Sequence, residues 1–337
     1  MEKILVIQTA FIGDAILTLP MIQKLKEMFS SSEIHVLCIP STEEIFRSSP
    51  VVDHIKIIDK KRKHKNIFSL IFFAIKLKRE NYDRIYSPHR SFRTSLIVFL
   101  SGVKNTYGFS NANLRFVYRN LVEYFPSKHE VQRNLDLIGF EYKNDEWKIL
   151  PALKTTQEQE SKVTNFIQKN NIKSFIAVAP GSIWNTKKYP TEYYIDVVNS
   201  LRGKYSIVLI GGKIDVELCN EIKLNCGENV FTIAGMFSIV ESVELLRRAK
   251  LLITNDSAPT HMGMCADIPT LTLYCSTVTN FGFYPYNGKN AILSFDDLDC
   301  KPCGIHGFKK CPLNHFNCGK KLLPNVVIKK VDEMLNE

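Results

Sequence analysis

Three short segments of this 337-residue chain combine residue types that can move a proton or hold an anion. The first is Gln8-Thr9-Ala10-Phe11-Ile12-Gly13-Asp14. A carboxylate at the start of a helix stays ionised, because the helix N-terminus favours negative charge, and an ionised base can take a proton from a hydroxyl. Asp14 is equally readable as a plain N-cap, a position that favours aspartate. The segment has one glycine where a dinucleotide fingerprint needs three, so it is not an NAD site. Its carboxylate would also repel a phosphate from the same backbone amides.

The second segment, Asn255-Asp256-Ser257-Ala258-Pro259-Thr260-His261, follows an apolar run and opens a helical one. Its small residues allow close backbone approach, Ser257 suits an N-cap and Pro259 a first turn, so the loop reads as a cradle for a diphosphate. His261 can add a hydrogen bond. The third segment, Pro180-Gly181-Ser182, offers another close approach and is followed by Lys187 and Lys188. A cation there can neutralise a departing diphosphate without a metal. Each feature also has an ordinary reading: a lysine pair is commonly solvated, and a lone histidine is commonly a satisfied structural group.

These loops need strands before them and helices after them. Residues 4–8 read as a strand feeding a helix over about 14–29, with Pro20 predicting a kink or restart. Strands are expected at 34–39 and 55–58. The pattern restarts with a strand at 175–179, a helix from about Thr191 to Leu201, and a strand at 206–210 ending in Gly211-Gly212. A helix near Asp215 and strands at 251–254 and 270–274 complete the series. Alternating strands and helices predict two doubly wound α/β lobes, joined near 155–173. The expected division is a first Rossmann-like domain over 1–160, a second over 170–322, and a helix over 323–337 able to pack back on the first domain.

The chain is 45% apolar and 23% charged, which excludes fibrous and disordered classes. A net charge of +10 draws it to something anionic. The basic residues concentrate in Lys60-Lys61-Arg62-Lys63-His64-Lys65, ahead of an apolar stretch at 67–75 too short to span a bilayer. That stretch reads either as a helix docking on an anionic leaflet or as a core helix behind a solvated loop. The N-terminal apolar run is too short for a signal peptide, so a cytoplasmic location is expected, peripheral to the inner membrane if the docking reading holds. Nine cysteines without a secretion signal suggest reduced thiols or a metal cluster. Cys300, Cys303, Cys311 and Cys318, with His306 and His315 between them, resemble a structural zinc site, although the spacing matches no familiar finger.

Gly13-Asp14 with Leu19-Pro20, Pro180-Gly181-Ser182 with Lys187-Lys188-Tyr189-Pro190, Gly211-Gly212, and Asn255-Asp256-Ser257 with His261 together resemble glycosyltransferase family 9. This is the family of ADP-heptose:lipopolysaccharide heptosyltransferases. The resemblance runs from the first strand to about residue 330. It implies a GT-B fold, two Rossmann-like domains facing a central cleft. It also implies inverting transfer of heptose from ADP-heptose to the inner core of lipopolysaccharide, with no metal or other cofactor required. Asp14 would be the general base and Lys187 the contact to the donor phosphates. Gly181, Ser182, Lys188, Gly212, Asp256, Ser257, Ala258 and His261 would hold the donor. Gly13, Arg90, Arg93 and Arg133 would face the acceptor, guanidinium being suited to its carboxylates and phosphates. Implied partners are the nucleotide sugar, a lipid-linked oligosaccharide and the inner-membrane surface.

The competing classes are a transferase using another nucleotide sugar, a two-lobed nucleotide-sugar epimerase that turns over donor without acceptor, and a two-lobed sugar-binding protein. Nucleic-acid binding is disfavoured, since no base-stacking or groove-reading motif accompanies the basic run.

Overall fold

The computed structural model describes residues 1–336, which divide into two compact units, the first Met1–Lys154 and the second from Thr155 onward. The first unit carries strands β1 (Lys3–Ile7), β2 (Glu33–Cys38), β3 (His54–Ile57), β4 (Arg84–Ser87), β5 (Asn105–Phe109) and β6 (Asn120–Val122). They form one parallel sheet in the order β3-β2-β1-β4-β5-β6. Parallel neighbours need crossovers. The unit's helices are α1 (Ile12–Met28), α2 (Glu43–Arg47), α3 (Ile67–Lys78), α4 (Phe92–Ser101) and α5 (Glu130–Leu137).

The second unit opens with α6 (Gln157–Lys169) and repeats the plan. Strands β7 (Phe175–Ala179), β8 (Ser206–Leu209), β9 (Val230–Thr232), β10 (Leu251–Asn255), β11 (Thr270–Tyr274) and β12 (Ala291–Ser294) lie parallel in the order β12-β11-β10-β7-β8-β9. Its remaining helices are α7 (Thr191–Leu201), α8 (Val216–Cys226), α9 (Ile239–Leu246), α10 (Ala258–Ala266), α11 (Asn317–Lys320) and α12 (Pro324–Asn336). In both sheets the first strand is central and the fourth returns to its other side. Each sheet therefore has one switch point, β1/β4 and β7/β10, where loops at the carboxyl ends diverge and ligands of open α/β sheets bind.

The central strands form because their β-branched runs are buried on both faces. Ile4 to Ile7 are 0% exposed, and β7 and β11 are buried along their whole length. Pro20 does not restart α1, which runs on to Met28. The proline removes one donor from the helix, and nearby the buried Asn134 side chain donates to the Leu17 carbonyl at 3.0 Å. The final helix, α12, belongs to the second unit, where Val327 and Val331 are 0% exposed in a core shared with Val197, Val198 and Leu201 of α7. Its apolar stripe is used there.

Candidate active site

In the first unit, β1 delivers the chain to α1, whose first turn holds Gly13 and Asp14, both half-buried. The helix starts at Ile12, so Asp14 is not the N-cap but the third helical residue. Its Oδ2 reaches back to accept the Phe11 N–H at 3.3 Å. The loop after β4 brings Arg90 to the same edge, its guanidinium 3.9 Å above the Tyr124 ring. Glu130, at the start of α5, is buried, and its carboxyl is raised above the usual range by burial and then by the charge of Asp14, against the pull of Arg133. Asp14, Arg90, Tyr124, Glu130 and Arg133 thus form one electrostatically connected group.

Two of the arginines are already engaged by backbone carbonyls. Arg133 is 2% exposed: Nε donates to the Phe125 carbonyl at 2.9 Å, Nη1 to Glu130 at 2.8 Å, and Nη2 to the Pro126 carbonyl. Its guanidinium is consumed in holding the 124–130 loop beside Asp14, which corrects its assignment to acceptor binding. Arg93 is exposed but donates to the carbonyls of Lys60 and Lys65 at 3.5 and 3.2 Å, bracing the basic loop. That loop supplies a residue that the sequence reading passed over. Lys60 Nζ donates to Thr9 Oγ1 at 2.7 Å, and burial, with Arg93 next, lowers its pKa to about 8. In sequence it was one lysine in a basic run.

In the second unit, the loop after β7 and the loop after β10 meet through Asn255. Its Nδ2 donates to the Pro180 and Gly181 carbonyls at 2.7 and 3.3 Å, and its Oδ1 accepts from the Tyr189 amide and the Tyr194 hydroxyl. Lys187, in the short turn after β7, lies 2.7 Å from Asp256, their side chains 13% and 8% exposed. Thr277 also donates to Asp256, at 2.6 Å. Both lone-pair partners of Asp256 thus come from the protein, and its place in the expected donor loop is beside Lys187. It aims Lys187. Ser257 is the N-cap of α10 by position, but its hydroxyl makes no cap bond and leans toward the Gly181 and Asn255 carbonyls. The first-turn amides beside Ala258 are therefore not taken by a side-chain cap, as an anion site at a helix N-terminus requires.

Gly181 is buried because the Asp215 carboxylate occupies the space a Cβ would take, 2.2 Å from it. The close approach here is to Asp215, whose Oδ2 also accepts the Gly212 amide at 2.9 Å. Ser182 accepts the Trp184 amide, and Lys188 is half-buried at the end of the same turn.

His261 is buried, its Nδ1 has no partner within the protein, and burial lowers its pKa to about 4. Burial lowers His89 in the first unit further, to about 3. Both start from 6.5, so between that value and 4 the unfolded chain holds protons that the folded protein does not. Stability is accordingly complete above about pH 6.5 and is expected to fall as pH drops toward 4, by about 1.4 kcal/mol per pH unit for each histidine. His261→Asn should flatten that slope in urea titrations across this range; an unchanged slope would refute it.

The cysteine-rich segment packs directly on the Lys187 turn. The Thr186 amide donates to the Phe308 carbonyl at 3.1 Å, Asn185 Nδ2 to the Lys309 carbonyl at 2.9 Å, and the Cys303 amide to the Ser276 carbonyl at 2.8 Å. Cys300 Sγ lies 3.9 Å from His315 Nε2. The four cysteines lie close enough that Cys300 and Cys311 help raise the Cys303 and Cys318 thiols, after burial, but no three of their sulfur atoms come within 4.8 Å of one another. Among the described residues, the one group with three ligand atoms within 4.8 Å of one another is Glu33, His35 and His54, at the amino ends of β2 and β3.

A sequence profile of Glycosyltransferase family 9 (heptosyltransferase) matches residues 72–311. The chain is 25% identical to lipooligosaccharide heptosyltransferase 2 of Campylobacter jejuni serotype O:6 over 98% of its own length and 99% of the relative's. It is 22% identical to lipopolysaccharide heptosyltransferase 2 of Escherichia coli K12, over 83% and 84%. Among solved structures, a glycosyl transferase family 9 protein from Veillonella parvula superimposes with a TM-score of 0.88 at 21% identity, over 99% and 97% of the two chains. The ADP-heptose lps heptosyltransferase II of E. coli gives 0.82 at 19%, over 99% and 98%.

Proposed function

The chain belongs to glycosyltransferase family 9 and is a glycosyltransferase of GT-B fold, and from that premise we propose that it transfers heptose from ADP-heptose to the inner core of lipopolysaccharide, with inversion and without a metal. The observation that carries this reading is the pairing of chemistry with topology. A half-buried carboxylate lies at the switch point of the first sheet, and a lysine with an uncapped helix N-terminus lies at the switch point of the second. In the reaction, Asp14 takes the proton of an acceptor hydroxyl as its oxygen bonds to the anomeric carbon. The bond from that carbon to the diphosphate oxygen breaks on the opposite face, so configuration inverts. The electron pair leaves with the nucleoside diphosphate, whose growing charge Lys187 and the first turn of α10 stabilise. Their fixed charges stand where another enzyme uses a divalent cation. His261, with its unpartnered Nδ1, adds a hydrogen bond to the donor.

The acceptor is lipid-linked, so the enzyme works on the cytoplasmic face of the inner membrane. No described helix is long and apolar enough to cross a membrane. Incubation with ADP-heptose and truncated lipopolysaccharide should release ADP only when both are present. Donor turnover without acceptor would favour an epimerase, and no turnover with ADP-heptose would require another nucleotide sugar.

A structural zinc at Cys300, Cys303, Cys311 and Cys318 is a separate proposal, supported by ligand type and by the position of the segment against the Lys187 turn. The four side chains would have to draw together on loading. Elemental analysis of protein purified without chelator should find about one zinc per chain. Metal-free protein with all nine thiols titratable once unfolded would overturn it.

A further inference from the structure

Helix α3 has two apolar faces, and its unit covers only one of them. Leu70, Ala74 and Leu77 are buried, while Phe68 is 79% exposed, Phe72 74%, Ile75 47% and Ile67 45%. An exposed phenylalanine pair one turn apart, flanked by two isoleucines, is more than the scattered apolar residues of an ordinary surface. The charge around it is one-sided. From Lys60 to Arg79 the chain carries eight lysines and arginines and no acidic residue. Lys61, Arg62, Lys63 and Lys65 before the helix, and Lys76, Lys78 and Arg79 at its end, are all exposed. At 12 residues the helix is too short to span a bilayer, but it suits the plane of the interface, rings among acyl chains and cations at headgroups.

The basic loop is a built element. The Asp59 side chain accepts the amides of Lys61 and Arg62, both at 3.0 Å, and His64 Nδ1 accepts the Asp59 amide. The His64 ring packs edge-on against Phe73 of α3 at 4.9 Å. At its other end the loop is tied to the catalytic edge, through Lys60 to Thr9 and through Arg93 to the Lys60 and Lys65 carbonyls. We infer that α3 and the 59–65 loop dock on an anionic phospholipid surface, and that the loop couples this docking face to the Thr9–Asp14 edge. The coupling rests on the heptosyltransferase reading, since it presents a lipid-anchored acceptor to Asp14; the docking does not.

Two variants test it: Phe68→Ser with Phe72→Ser, both outside the core, and Lys61→Glu with Arg62→Glu and Lys63→Glu. The wild type should sediment with phosphatidylglycerol vesicles at low salt and not with phosphatidylcholine vesicles. The charge variant should lose more than about 100-fold in partitioning, since removing three basic residues at about fivefold each already gives that factor and the three new carboxylates add repulsion from the anionic surface. The phenylalanine variant should also detach. Both should keep wild-type transfer to a soluble, deacylated acceptor and lose transfer to the same acceptor held in vesicles. Wild-type protein that ignores anionic vesicles, or variants that bind them as the wild type does, would overturn the docking. So would a dimer in light scattering that Phe68→Ser with Phe72→Ser dissolves, since the face would then belong to a second copy. Failure of the wild type to use the soluble acceptor would overturn the catalytic reading and leave the sedimentation result standing.

Discussion

Asp14→Ala is expected to lower sugar transfer by about 10²–10⁴-fold, the usual contribution of a positioned general base, with donor affinity unchanged. The carboxylate has a second task that must be separated from catalysis. Its Oδ2 accepts the Phe11 amide at the start of α1, and loss of such a contact costs about 0.5–2 kcal/mol of stability. Asparagine resolves the two. Asp14→Asn keeps an acceptor oxygen for the Phe11 amide but cannot take a proton at neutral pH. It should therefore melt close to the wild type and be as inactive as the alanine variant. ADP release at saturating acceptor and calorimetric titration of donor read the two properties independently. Near-wild-type transfer by Asp14→Asn would reduce Asp14 to a structural residue of the helix terminus.

Why the cap and the base could not be told apart in sequence is visible in the first turn. Phe11 occupies the N-cap position with no side-chain acceptor, so the start of α1 lacked the serine, threonine, aspartate or asparagine that usually marks it. The periodicity alone therefore starts the helix two residues late and leaves Asp14 at its cap, whereas α1 begins at Ile12. Where a segment's own residues decide its structure, the reading was close. β7, β11 and α7 fall at 175–179, 270–274 and 191–201, because the two strands are buried apolar runs and the helix has a clear amphipathic stripe. Errors collected where a partner distant in sequence decides. Arg133 reads as a surface cation until the Phe125 and Pro126 carbonyls and Glu130 enclose it. The partner of Asp256 is equally hidden, since Lys187 arrives from a loop 69 residues upstream. Lys60 is indistinguishable from its neighbours until Thr9 takes its ammonium group. For α3, composition favours a core helix over an interfacial one, and only the exposure of Phe68 and Phe72 turns the balance.

Removing Lys187 should damage the protein in two ways that a double variant separates. Lys187→Ala leaves Asp256, 6% exposed, with Thr277 as its remaining side-chain donor. Breaking one side of a buried ion pair costs about 3–5 kcal/mol, a large share of the 5–15 kcal/mol that holds a typical domain together. Transfer should fall in parallel by about 10²–10³-fold, if the ammonium group stabilises the departing diphosphate. Lys187→Ala alone cannot say which loss causes the other. Adding Asp256→Asn removes the stranded charge while keeping an acceptor for the Thr277 hydroxyl, so most of the stability should return. Transfer should not return, because nothing then meets the charge developing on the leaving group. Asp256→Asn by itself gives the complementary result: Lys187 keeps its charge but loses the carboxylate that aims it, so transfer should fall less than with lysine removed. Urea midpoints and ADP release on the same four proteins complete the cycle. A double variant that regained transfer together with stability would assign the Lys187–Asp256 pair to the fold alone and leave the first turn of α10 to carry the diphosphate charge.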